Sequence, residues 1–278
     1  MMSVRKVKRS KGSVPTVEGA GVHLYRAFGF LETELTDPFL LLDDFHGSDF
    51  SRYMAGFPWH PHRGIETVTY MINGAVEHGD SLGNTGVIKS GEVQWMTAGR
   101  GIIHQEMPKK TEGFMQGFQL WVNLPKKHKM MTPRYRGILS GDIPKTVIDD
   151  STIKVIAGDV RGIRGPVRDL VVDVEYLDVE MIPDSKFIHG TRKDETVFAY
   201  MFQGGAVVDG TLVGMGTLTV FEPGDRVEFE SGDDGARFLL VSGAPLRESV
   251  AWRGPIVMNT QVELDLAFRE LNEGTFIK

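Results

Sequence analysis

Short runs of β-branched and aromatic residues recur along the chain, each closed by glycine or a polar turn. They include VTYMI (68–72), VQWMTAG (93–99), FQLWVNL (118–124), IKVIAG (153–158), LVVDVEYLDVEMI (170–182), ETVFAYMF (195–202), TLTVF (217–221) and ARFLLVSG (236–243). Short strands with turn signals every 8–12 residues or so predict an all-β sandwich or barrel. One stretch departs from this pattern. NTQVELDLAFRELNEG (259–274) sets Leu264, Ala267, Phe268 and Leu271 at i, i+3, i+4 and i+7, the spacing of one helix face. Thr260 and Glu263 form a capping box ahead of it, and Gly274 is placed to end it. The pattern predicts a single helix lying across a β surface. Residues 124–145, rich in proline and charge and weakly periodic, read as a linker or crossing segment between two β-rich halves.

The halves share a motif. His60, Arg63, Glu66, Thr67 and Val68 are spaced as HxxRxxETV, and so are His189, Arg192, Glu195, Thr196 and Val197. Each copy runs through a β segment to a glycine followed by Ala-Val, at Gly74 and Gly205. Duplication of one β domain explains the match. The second copy has Thr191 where the first has His62, so a metal bound by the first half is not expected in the second.

Length and composition narrow the classes. A chain of 278 residues has room for about two ordinary domains. The net charge of −6 argues against nucleic acid as the main partner, because phosphate binding needs clustered basic charge. Cysteine is absent, which excludes disulfides, thiolate nucleophiles, iron–sulfur clusters and cysteine zinc sites. Any metal must then fall to His, Asp or Glu. The start, MMSVRKVKRSKG, is basic with no apolar stretch after it, and no run approaches a membrane span. A cytoplasmic location is expected, with a nuclear share compatible in a eukaryote, and no membrane contact.

Eight histidines are unevenly placed. In GFPWHPHRGIETV, Pro58 and Pro61 push the residues before them out of the helical region. An extended chain puts His60 and His62 on one face, roughly 6.6 Å apart. His104 and Glu106 in GRGIIHQEMP are a second i, i+2 pair in β-type sequence. Neighbouring strands presenting both pairs would offer three imidazoles and one carboxylate, a set for a divalent first-row metal with room for water or substrate. That ligand set leaves Fe(II), Mn, Ni, Cu, Co and Zn open. Glu66 is a further ligand candidate or an acceptor orienting an imidazole. Arg63 and Arg100 flank the site, either drawing an anionic substrate or forming internal ion pairs. His78 reads as a turn or supporting group, and Phe57, Trp59 and Met96 as candidates for the pocket mouth or the core.

The stretches LLDDF, HPHRGIETV, GEVQWMTAGRGIIHQE, GFQLWVNLP, APLRE and GPIVMNT, in that order from about residue 40 to 260, resemble the pirin family of the cupin superfamily. The resemblance implies two tandem cupin domains of double-stranded β-helix (jelly-roll-like) form. It implies residues 1–133 as the metal-bearing domain, 134–250 as a cupin that has lost its ligands, and 251–278 as a tail and helix packed on them. Its ligand positions fall on His60, His62, His104 and Glu106, usually holding iron. It further implies quercetin 2,3-dioxygenase-like chemistry on a phenolic or flavonol substrate with O2, Glu106 taking the substrate's hydroxyl proton. The alternative it carries is a metal-containing regulatory protein, such as a transcriptional coregulator, with a protein partner and no turnover. A monomer without direct nucleic-acid contact is expected. Gln105 and Ile256 depart from the family's usual residues, and Gln105 is the one placed to alter the pocket.

Overall fold

The computed structural model describes residues 2–110 and 113–278. They form two compact units that are not contiguous in sequence. One, here the site-bearing unit, comprises Pro15–Phe30, Phe39–Ser140 and Leu246–Lys278; the companion comprises the described residues up to Val14, Leu31–Pro38 and Gly141–Pro245. The division falls at Ser140/Gly141 and Pro245/Leu246, and the first residues join the companion. The strand Val7–Gly12 pairs antiparallel with Thr217–Phe221, matching Val7 with Phe221, so it belongs to the companion's sheet. The expected linker is also mostly built in. Arg134–Ile138 pairs with Val93–Thr97 as an edge strand of the site-bearing unit, and the crossing to the companion begins only at Gly141.

The site-bearing unit contains two large sheets and a two-stranded one, Ala251–Arg253 with Ile256–Met258. A seven-stranded sheet runs Arg134–Ile138, Val93–Thr97, Ile65–Asn73, Met115–Asn123, Phe39–Gly47, Val22–Phe28, Val14–Glu18. A four-stranded sheet runs Phe57–His62, Ile102–Pro108, Ala75–Asp80, Thr85–Lys89. The strand Ile102–Pro108 alternates strictly between buried and half-buried positions, as a strand with one covered face does. His104, Glu106 and Pro108 thus share the inner face. Apolar clusters fill this unit. One gathers Val22, Leu24, Phe45, Met71, Val76 and Met115, and another Leu40, Ile65, Met96, Ile102 and Val257.

The helix forms where the periodicity placed it, at Gln261–Asn272, with the Thr260–Glu263 capping box intact. Leu264 and Ala267 are buried with Ile256, Met258 and Phe276, and Ile103 of the four-stranded sheet packs against that cluster. No helix among the described residues is long and apolar enough to cross a membrane.

A buried lysine ties the short segments of this unit together. Lys129, 2% exposed, donates from Nζ to the Gly64 carbonyl (2.9 Å), Asn123 Oδ1 (2.6 Å) and the Val257 carbonyl (3.1 Å). Burial pushes its ammonium down from 10.5 to about 7. The folded chain releases this proton before the unfolded chain does, so between pH 7 and about 10 the unfolded state binds more protons and stability rises with pH. Lys129→Met should abolish that rise. It should also cost about 1–3 kcal/mol per acceptor left bare and unwatered, read as a lower urea midpoint at pH 7 and a flatter midpoint-versus-pH curve.

The companion unit has a nine-stranded sheet built around the long strands Thr196–Val208 and Arg226–Gly243, which pair along most of their length, and a two-stranded sheet of Asp159–Val160 with Ile163–Arg164. Phe187, Phe229 and Phe238 pack at its centre, the last two stacked 4.3 Å apart. The second copy of the HxxRxxETV motif opens here, and its histidine is engaged otherwise. His189 Nε2 lies 2.6 Å from Glu175 Oε1, and Thr191 Oγ1 accepts from Arg5 Nε at 2.7 Å.

Candidate metal centre

The register of two strands creates the site. Phe57–His62 and Ile102–Pro108 run antiparallel, with His60 directly opposite His104 and Ile102 opposite His62. A register shift between His104 and Glu106 sets Glu106 opposite Phe57. Cross-strand partners share a face, so three imidazoles converge. His60, His62 and His104 each place one ring nitrogen within 4.8 Å of the others, the metal-ligand cluster found among the described residues.

Two backbone carbonyls fix how the rings are turned. His60 Nδ1 donates to the Pro58 carbonyl at 2.9 Å, and His62 Nδ1 donates to the Pro255 carbonyl at 3.0 Å. With the proton on Nδ1, each Nε2 presents a lone pair, and the two Nε2 atoms face each other at 3.1 Å. Two lone pairs at that distance repel unless a cation lies between them. Burial depresses the basicity of His60, and that of His62 well below 6.5, so a shared proton is disfavoured. His104 makes the case stronger. It is fully buried, burial also holds it well below 6.5, and neither ring nitrogen has a hydrogen-bond partner. Orphaned buried nitrogens are costly, and a metal ion satisfies all three rings together. The residues present fit a divalent metal.

Glu106 stands beside this cluster on the same strand face, and its carboxylate is not among the converging ligand atoms. Its Oε1 accepts from Thr69 Oγ at 2.6 Å, and that hydroxyl is also 3.0 Å from the Gln119 amide. Burial pushes the Glu106 carboxyl up to about 7, with the Thr69 bond acting against the rise. His60, His62, Glu106, Thr69 and Gln119 all line one cavity of about 720 Å³, with Val22, Leu24, Phe45, Val76 and Trp121 among its apolar walls. That volume lies within the range of sites for drug-sized molecules.

The other candidate residues take a mix of roles, some of them among those the sequence offered. Glu66 does not orient an imidazole. Its Oε1 accepts from Thr97 (2.5 Å) and Arg136 (3.1 Å), and the Pro58 and Pro255 carbonyls take the orienting role. Arg63 is an internal ion-pair residue, 2.6 Å from Glu270 and stacked over Phe276. His78 is a buried strand residue opposite Glu106, 3.3 Å from Asp80 and stacked on Tyr135. Phe57 lines the cavity, whereas Trp59 alternates to the outside at 55% exposure and Met96 is fully buried. Gln105 also alternates away from the cavity-facing side of its strand. The Pro255 carbonyl was missed, since a backbone acceptor 193 residues from its histidine leaves no mark in side-chain spacing.

Two β units, one of them carrying converging histidines from an HPH strand and an HxE strand, define a two-domain cupin. Residues 21–122 match the Pirin family model, and residues 176–277 match the model of the Pirin C-terminal cupin domain. The chain belongs to the pirin family. It is 42% identical over 277 residues to a pirin-like protein of Caulobacter vibrioides, covering 99% of this chain and all of the relative. It is 39% identical to the pirin of Homo sapiens, over 99% of this chain and 96% of that one. Among solved structures, the quercetin 2,3-dioxygenase of Acinetobacter baumannii superposes with a TM-score of 0.91 at 31% identity, with 99% of each chain covered.

Proposed function

We propose that this protein is a metal-dependent dioxygenase that opens a flavonol such as quercetin with O2, at a mononuclear iron centre held by His60, His62, His104 and Glu106. The observation that carries the reading is the triad of neutral imidazoles, two of them turned by carbonyls and the third without any partner, beside a cavity sized for a three-ring substrate. The likeness to the Acinetobacter dioxygenase supports the choice of substrate.

The metal, when bound, acts as a Lewis acid that lowers the pKa of a substrate oxygen. The chain's own residues do the rest. His60 and His62 keep their Nε2 lone pairs directed inward because their Nδ1 protons are committed to carbonyls. Glu106 accepts the proton of the flavonol hydroxyl at its carboxylate, and Thr69 holds Oε1 in place. The apolar walls exclude water from the reacting oxygen.

Metal analysis of the purified protein followed by O2 uptake with quercetin tests this. The expected result is about one metal per chain and substrate-dependent O2 consumption, with both lost in His62→Ala. A fully iron-loaded protein that consumes no O2 with quercetin would reject the dioxygenase and favour a regulatory protein whose metal has no turnover. Activity persisting in His62→Ala would reject the site.

A further inference from the structure

A polar row crosses the inner face of the seven-stranded sheet. Strand register sets Arg26 opposite Asp43, Asp43 opposite Gln119, and Gln119 opposite Thr69. Directly opposed residues lie on one face, and all four line the cavity that His60 and His62 border. At Thr69 the row meets the metal centre through the bond to Glu106. At its other end Arg26 holds Asp43 by two bonds, Nε to Oδ1 (2.8 Å) and a terminal nitrogen to Oδ2 (2.7 Å), and reaches Glu18 Oε1 at 2.8 Å. Three strand steps of about 4.8 Å put the two ends roughly 14 Å apart, comparable with the length of a three-ring flavonol.

Charged residues inside an apolar cavity are costly unless they are paired and hydrogen-bonded, as these are. Asp43 is nearly closed off, at a side-chain exposure of 6%, while Arg26 and Glu18 keep 26% and 42%, and all three face the cavity. One cation between two carboxylates leaves a net charge of −1 and spare acceptor lone pairs. Such a group attracts hydroxyl donors and repels anionic ligands.

We propose that Glu18, Arg26 and Asp43 form a specificity subsite that selects planar aromatic substrates bearing hydroxyl groups at the end remote from the metal. The proposal rests on the dioxygenase reading for its substrate frame and adds which members of that class are taken. Hydroxyls on the pendant phenyl ring donate to the carboxylates of Glu18 and Asp43, while Gln119 spans the middle of the ligand. The reacting hydroxyl then meets the metal end of the row.

The test uses galangin, kaempferol and quercetin, which carry none, one and two hydroxyls on that ring. Dissociation constants are measured on the metal-loaded protein without O2, by quenching of tryptophan fluorescence, and kcat/KM separately with O2. The expected result is tightening of about tenfold from galangin to quercetin, as one or two hydrogen bonds to a charged group give. Glu18→Gln, which keeps the side-chain volume at a part-exposed position, should reduce that ratio to about threefold or less. Asp43→Asn should reduce it further, with galangin binding little changed. Equal affinity for all three flavonols in the wild type would overturn the subsite, as would an unchanged ratio in Glu18→Gln. Absence of turnover with every flavonol, alongside a hydroxyl-dependent dissociation constant, would overturn the dioxygenase reading and leave the subsite standing.

Discussion

His104→Leu is expected to lose metal binding and turnover by more than a thousandfold while leaving the metal-free protein as stable as before, or more so. The imidazole is fully buried and neither nitrogen has a partner, so in the absence of metal it contributes an unsatisfied polar group to the core. Replacing such a group by carbon of similar volume removes a penalty of about 1–3 kcal/mol. A gain of 1 kcal/mol corresponds to a melting temperature higher by roughly 2–4 °C for a unit of this size. The wild type, by contrast, should gain stability with added metal in proportion to RT ln(1 + [M]/Kd). Thermal melts with and without iron separate the two. The wild type should shift upward with metal and the variant should not. A metal-free His104→Leu protein that melts well below wild type would show that the ring is held by contacts of its own and not in readiness for an ion.

The second large effect is at Gly64, two residues past His62. Its φ is +78°, and a Cβ there would stand 1.9 Å from the Val257 carbonyl oxygen and 3.3 Å from Lys129 Nζ. The obstruction is backbone, so it cannot swing aside. Leu124 and Lys129 both donate to the Gly64 carbonyl, and Gly64 N–H donates to Gly99, which leaves little freedom to shift. Gly64→Ala combines left-handed strain of about 1–2 kcal/mol with overpacking of about 1–3 kcal/mol or more. Loss of roughly 3–5 kcal/mol in urea unfolding is expected, together with weakened metal binding. Gly83→Ala is the control: its φ is +88° with nothing within 4 Å of the added carbon, so only the strain should register.

Local patterns disclosed much of this protein. The capped helix at Gln261–Asn272 and the alternation of Ile102–Pro108 follow from positions a few residues apart, where spacing maps directly onto geometry. The three converging histidines were legible for the same reason, since HPH and HQE each present one face of a short strand. What stayed hidden depends on distant pairing. The polar row needs Arg26, Asp43, Gln119 and Thr69 in register across four strands, and no one of them stands out along the chain. Glu66 looked like a metal-site group because it follows the histidines closely, but its alternation and the partner strand bring Thr97 and Arg136 to it. Charge at 124–145 suggested a linker, and the structure buries Lys129 there because three oxygens await it.

The bond from His62 to the Pro255 carbonyl also sets an order of events during synthesis. A ribosome adds about 5–20 residues per second, so His62 leaves the tunnel some ten seconds or more before the carbonyl that turns its ring has been made. The strand Val7–Gly12 waits in the same way for Thr217–Phe221. An emerging chain therefore lacks the acceptor that turns the His62 ring. His60 finds its acceptor two residues away at Pro58, whereas His62 is turned only when the segment from Leu246 onward docks. One half of the paired ring geometry is thus written into three consecutive residues, and the other half exists only once distant parts of the chain have met.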